Sequence, residues 1–224
     1  MPTAEPPPAE GVRLDWLAVP ARIRAAVEQW AGGAVVEAAS QRTGFSARLR
    51  FANGRRVFVK AVGPAPNPDA PPIHRHVGQI VAALPHSLPV PALLWSYDDI
   101  ETGWIVLVFQ DIDGENPRQP WRTYELDRVV AGLVTLAEGL TPSPLQPPVV
   151  GRAEKEFATR RCGWQLLREK NSPAGLDEWS VPNLATLADL ETAAPAAVTG
   201  NTLLNFDVRA DNLLLTAERV WFFD

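Results

Sequence analysis

Asp207 and Asn212 stand five residues apart in the run "NFDVRADNLLL", and a further aspartate, Asp224, ends the chain after "VWFF". Carboxylate and amide oxygens at this spacing can take a proton from a hydroxyl or hold a hard cation. They can equally close a polar turn between two apolar runs through Asx-type hydrogen bonds. Lys60 poses a similar choice. In "VFVKAV" a strand would place it on one face with Phe58 and Val62, while Val57, Val59 and Ala61 line the other. Both faces are apolar. The ammonium either snorkels to water from an edge strand or is desolvated and must meet an anion.

The elements that position these residues follow from periodicity. "LDWLAVPARIRAAVEQWAGG" has Leu14, Leu17, Ile23, Val27 and Trp30 at roughly helical spacing and ends at Gly32-Gly33. Three strand-like runs follow: "AVVEAAS", the turn "QRTGFS", "SARLRF", then Asn53-Gly54 and "RRVFVKAV". Asn-Gly between two such runs predicts a hairpin, because both residues tolerate positive φ. A helix carrying Ile73, Val77, Ile80, Val81 and Leu84 on one face comes next, followed by strands in "PVPALLWSYDD" and "GWIVLVFQDIDG". After Pro117 the pattern is helical. One helix carries Leu126, Val129, Val130, Leu133, Leu136 and Leu140; others are expected over Ala153–Lys170 and Pro182–Val198. Two short strands, Leu213–Leu215 and Val220–Phe223, close the chain.

The bulk composition narrows the classes. The chain has 224 residues, 46% hydrophobic and 21% charged, which is ordinary for a globular protein and too apolar for a disordered one. A net charge of −5 gives no electrostatic case for nucleic acid or an anionic membrane and tilts slightly toward a cationic substrate. A single cysteine, Cys162, allows no internal disulfide and fits a reducing cytoplasm. No apolar stretch is long enough to span a bilayer, and "MPTAEPPPAEG" reads as a disordered tail rather than a signal peptide.

The order of these features resembles the protein-kinase-like fold, and more closely the aminoglycoside phosphotransferase family. "FDVRADNLLLTAERVWFFD" is similar to that family's catalytic segment and "LVFQDIDG" to its hinge. The resemblance implies an α+β, two-lobed fold. Residues 1–11 would be a tail, 12–112 an N-lobe built on an antiparallel sheet, and 113–224 a mostly helical, incomplete C-lobe. It implies an ATP-dependent phosphotransferase acting on a small-molecule hydroxyl, aminoglycoside-like or amino-alcohol, with ATP and Mg²⁺ as cofactors. Asp207 would receive or orient the hydroxyl proton, with Arg209 beside it. Asn212 and Asp224 would hold Mg²⁺. Lys60 and the turn Gly44, Phe45 and Ser46 would meet the phosphates, and the backbone of Gln110, Asp111 and Ile112 would meet adenine.

Several positions depart from the family pattern. Asn205-Phe206-Asp207 stands where His-Gly-Asp is usual, Val77 where a helix glutamate usually partners the strand lysine, and the phosphate turn has one glycine. The chain ends at its last expected metal ligand, so a fragment or truncated product is expected. A catalytically inactive kinase-like nucleotide-binding module is the alternative reading. Oligomeric state is left open.

Overall fold

The computed structural model describes residues 14–42, 45–65, 67–159, 163–170 and 175–223. The expected tail lies outside them. Backbone contacts group the chain into two compact units, Met1–Gly139 with Asn205–Asp224, and Leu140–Leu204.

The first unit is built on a five-stranded antiparallel sheet, β1 (Val35–Arg42), β2 (Phe45–Phe51), β3 (Arg56–Val62), β4 (Leu93–Asp99) and β5 (Trp104–Gln110), in the order β1-β2-β3-β5-β4. The β2–β3 hairpin turns through Asn53-Gly54. Gly54 is left-handed at φ 85°, and Phe51 and Arg55 close the turn through a 2.9 Å backbone hydrogen bond. One sheet face, with Val57, Val59, Ala61, Val106 and Val108, packs under α1 (Ala21–Ala31), whose Ile23 and Val27 are fully buried. On the other face Ile105, Leu107 and Phe109 join Phe58 and Val62 beneath α2 (Ala70–Ala82), which contributes Val77 and Val81.

The first helix is shorter than its periodicity suggests. Val19 is extended ahead of Pro20, which disfavours helical backbone in the residue before it, so α1 begins at Ala21. The preceding 3₁₀ turn, Trp16–Ala18, buries Trp16 and leaves Leu17 exposed. Gly32, left-handed at φ 73°, caps α1 and returns its N–H to Glu28. On α2 the expected face holds at Val77 and Val81, which pack on the sheet, but its buried positions are Pro71 and Gly78, and Ile73 is exposed. At Gly78 a Cβ would stand 2.9 Å from Leu107 Cδ2. The helix approaches the sheet at its smallest residue.

A third helix, α3 (Thr123–Gly139), and the hairpin of β6 (Leu213–Leu215) with β7 (Val220–Phe222) complete this unit. On α3 the buried positions are Glu125, Val129 and Leu136, while Leu126 and Val130 of the expected stripe are exposed. Gly132 faces the hairpin closely, and Arg128 Nη2 donates to the Thr216 carbonyl at 2.5 Å. Those contacts, rather than the leucine count, set which side turns inward. Glu115 and Leu215 exchange backbone hydrogen bonds of 3.1 and 2.7 Å, which stitches the chain after β5 to β6.

The second unit contains α4 (Ala153–Thr159), α5 (Gly163–Glu169) and α6 (Ser180–Ala197). The single helix expected over Ala153–Lys170 is thus two described helices. Cys162 lies between them, outside the described residues. Asp177 Oδ1 accepts from the N–H groups of Trp179 and Ser180 at 3.0 and 2.7 Å, satisfying donors at the start of α6. Glu191 accepts the Gln165 N–H at 2.7 Å, and Arg168 pairs with Asp189 at 2.7 Å, which joins α5 to α6. The two ends of the unit meet where Leu203 donates its N–H to Leu140 and Ser143 to Asn201. Among the described residues no helix is long and apolar enough to cross a membrane.

Candidate functional site

The loop ahead of β6 is held by its own side chains. Asn205 Oδ1 accepts the Asp207 N–H at 2.8 Å, an Asx turn that sets the entry to the loop. A 3₁₀ turn, Ala210–Asn212, ends it. Asn212 is only 2% exposed. Its Nδ2 donates both to the Asp207 carbonyl at 2.9 Å and to Asp207 Oδ2 at 3.0 Å. Backbone bonds fix Asn212 in turn, from its N–H to Arg209 and from Phe223 to its carbonyl. Asn116 Nδ2 holds the next carbonyl, that of Leu213, at 2.7 Å.

The result is an exposed carboxylate aimed by a buried amide. The Asp207 side chain is 60% exposed. Arg209 reaches both acids of the loop, pairing with Asp211 through Nε and Nη2 at 3.0 and 2.6 Å and lying 3.6 Å from Asp207 Oδ1. Phe206, at the position where the family has glycine, is exposed, so its ring does not fill the turn.

The donor chemistry suits a hard cation. Of the two expected ligands, Asn212 could offer only its oxygen, since its amide nitrogen is turned to Asp207. Among the described residues no three His, Cys, Asp or Glu side chains cluster as a metal cage. A cation here would take further ligands from water and phosphate, as Mg²⁺ commonly does. Asp224, the other expected ligand, lies outside the described residues.

Lys60 sits in β3, the middle strand of the five, and is 8% exposed, so the edge-strand reading does not hold. It lies in register between Ser46 on β2 and Leu107 on β5, on the α2 face of the sheet. Ser46 is buried as well. Phe45 is fully buried with its ring 5.3 Å from that of Trp16, so its side chain belongs to the core and only its backbone could face a ligand. Gly44, the expected apex of the phosphate turn, is outside the described residues.

The segment after β5 is clamped from below. Asp111, 5% exposed in its side chain, pairs with Arg48 Nε of β2 and Arg56 Nη2 of β3, each at 2.9 Å. Arg48 Nη2 also donates to the Ile112 carbonyl at 2.6 Å, and the Gln110 N–H is taken by Ala92. Among the described residues no hydrogen bond takes up the N–H of the buried Ile112. Gln110, Asp111, Ile112 and Asp113 form one wall of an open cavity of about 290 Å³; the turn and start of β7, with Thr216, Arg219 and Trp221, form another.

The structure therefore brings Asp207, Arg209 and Asn212 together in one loop, and gathers Gln110, Asp111 and Ile112 at one cavity. Arg48, Arg56 and Asn116 were not singled out from the sequence. Arg48 alternates with apolar residues along β2, as a solvent-facing side chain would, and Arg56 follows Arg55 at the start of β3; neither pattern shows that both reach Asp111.

No protein-family model matches this chain, and no curated protein matches it by sequence. A solved structure does. It is a thermostable mutant of aminoglycoside phosphotransferase APH(4)-Ia in a ternary complex with ADP and hygromycin B, similar over 90% of this chain and 70% of that one at 14% identity, with a TM-score of 0.51. At that identity the likeness is one of fold. The chain has a kinase-like α+β fold with an antiparallel five-stranded sheet.

Proposed function

We propose that this protein is an ATP-dependent phosphotransferase acting on a hydroxyl of a small molecule, aminoglycoside-like or amino-alcohol. The observation that carries the reading is the pair Asp207–Asn212, a buried amide fixing an exposed carboxylate, within a fold shared with a phosphotransferase solved with ADP. Phosphoryl transfer asks mainly for positioning and charge neutralisation. Asp207 takes or orients the proton of the attacking hydroxyl, and Arg209 holds the acidic loop together. Lys60, with the backbone of Gly44, Phe45 and Ser46, faces the phosphates. The backbone of Gln110, Asp111 and Ile112 receives adenine. Asn212 and Asp224 hold Mg²⁺, which neutralises phosphate charge when bound.

One observation favours the second reading, an inactive nucleotide-binding module. Val77 packs against Ile105, Leu107 and Phe109 on the sheet face that carries Lys60, which supports an apolar residue where the resemblance leads one to expect a carboxylate. The two readings part on turnover. Acceptor-dependent release of ADP should be seen with a panel of aminoglycosides and amino-alcohols, and Asp207→Asn should abolish it while leaving MgATP binding nearly intact. MgATP binding without turnover on any acceptor would leave the binding module standing. Unchanged turnover in Asp207→Asn would reduce Asp207 to a turn residue.

A further inference from the structure

Asp111 was expected to serve a nucleotide through its backbone, yet its side chain is the most constrained part of the segment. A carboxylate that is 5% exposed meets two guanidinium groups from two different strands, each at 2.9 Å. Burying an aspartate is costly unless it is paired, and here two guanidinium groups lie at ion-pair distance; Asp111 Oδ1 makes no hydrogen bond, so Arg48 holds it by charge attraction. The same Arg48 that holds the carboxylate also donates to the Ile112 carbonyl at 2.6 Å. One guanidinium therefore fixes two successive residues of the segment. The segment's upstream end is tied separately, by the Gln110 N–H to Ala92.

We propose that Arg48, Asp111 and Arg56 form a positioning clamp that fixes the backbone of residues 110–112 for recognition of the nucleotide base. This rests on the phosphotransferase reading above and deepens it. The clamp works by selection of backbone groups. Arg48 already takes one lone pair of the Ile112 carbonyl and fixes the direction in which it points. The Ile112 N–H, which meets no acceptor among the described residues, is what the residue has to offer. A rigid donor placed within about half an ångström of its working position is what discrimination by hydrogen bonding requires. None of the three side chains needs to touch the nucleotide. They act through the segment.

The clamp predicts an effect confined to the base. The parent and the variants Asp111→Asn and Arg48→Lys are titrated by calorimetry with MgATP and with magnesium tripolyphosphate, which has the phosphates but no base. Thermal unfolding of each variant is followed in parallel. Asp111→Asn keeps the shape but loses the charge that holds both arginines. Arg48→Lys keeps the charge but loses the planar fork that reaches Asp111 and Ile112 together. Each should weaken MgATP binding on the order of tenfold, about 1.4 kcal/mol, and leave tripolyphosphate binding unchanged. The double variant should bind MgATP no worse than the weaker single one, because the residues act as a unit. Equal weakening toward both ligands, or none toward either, in a folded Arg48→Lys protein would overturn the clamp. A parent that binds tripolyphosphate but shows no preference for MgATP would overturn it as well. A parent that binds neither ligand would defeat the phosphotransferase reading itself, and the clamp with it.

Discussion

At the residue scale the account turns on Asn212. It is buried, and its amide nitrogen makes two hydrogen bonds to Asp207, one to the backbone and one to the carboxylate. Asn212→Ala removes both and leaves the Asp207 carbonyl short of a donor. The expected cost is about 1–3 kcal/mol of stability, read by denaturant unfolding. The spacing of Asp207 and Asn212 was visible in the sequence, but its meaning was not, because a D-x-x-x-x-N loop is equally a polar turn. The Asx turn exists, but Asn205 makes it, and that leaves Asp207 exposed. Lys60 could be read two ways: apolar neighbours on both faces fit a lysine reaching water from an edge strand as well as a desolvated one, and the strand order, with β3 in the centre, decides for burial.

At the element scale, small residues decide how helices dock. Gly132 lies on α3 where a Cβ would stand 2.9 Å from Phe222 Cε2 and 3.1 Å from its Cζ, and Phe222 is buried. Gly132→Ala should gain up to about 1 kcal/mol in helix propensity but lose about 1–3 kcal/mol through overpacking of a ring that has little room to move. A net fall in thermal midpoint is expected, with the β6–β7 hairpin displaced. This is why the leucine stripe of α3 misled: periodicity counts apolar residues, while the contact was set by a glycine and by Arg128 reaching Thr216. The strands were legible because alternation and Asn53-Gly54 are local signals. The packed side of α2 was legible at Val77 and Val81 but not at Ile73, and that of α3 only in part, because both depend on what the helix meets.

The pair Arg75–Asp98 also belongs to this scale, since it ties α2 to β4 through bonds of 2.7 Å from both Nε and Nη2. The hydrogen bonds from Arg75 hold the Asp98 carboxyl below its ordinary range. A folded-state value below the unfolded one means the pair stabilises fully above the unfolded carboxylate range. That contribution is lost as pH falls through the folded value, on the acid side of pH 4. The pair is partly exposed, so solvent screens it and its worth is about 0.2–1 kcal/mol. Asp98→Asn should lower stability by that much at pH 7, and the difference from the parent should close as the pH of the unfolding experiment is taken below 4.

At the scale of the whole molecule, two observations carry the functional claim. One is a fold shared, at low identity, with a phosphotransferase that was solved with a nucleotide; the other is a loop in which an amide aims a carboxylate. The claim needs the chain to take up a metal–nucleotide complex, and to do so through that loop. The most direct test is a calorimetric titration with ATP, with and without Mg²⁺, of the parent protein and of Asn212→Ala, each first shown to be folded at the temperature used. The account predicts Mg²⁺-dependent ATP binding by the parent and a loss of the Mg²⁺-dependent part in Asn212→Ala. ATP binding of equal strength in both proteins, or none by the parent, would contradict it.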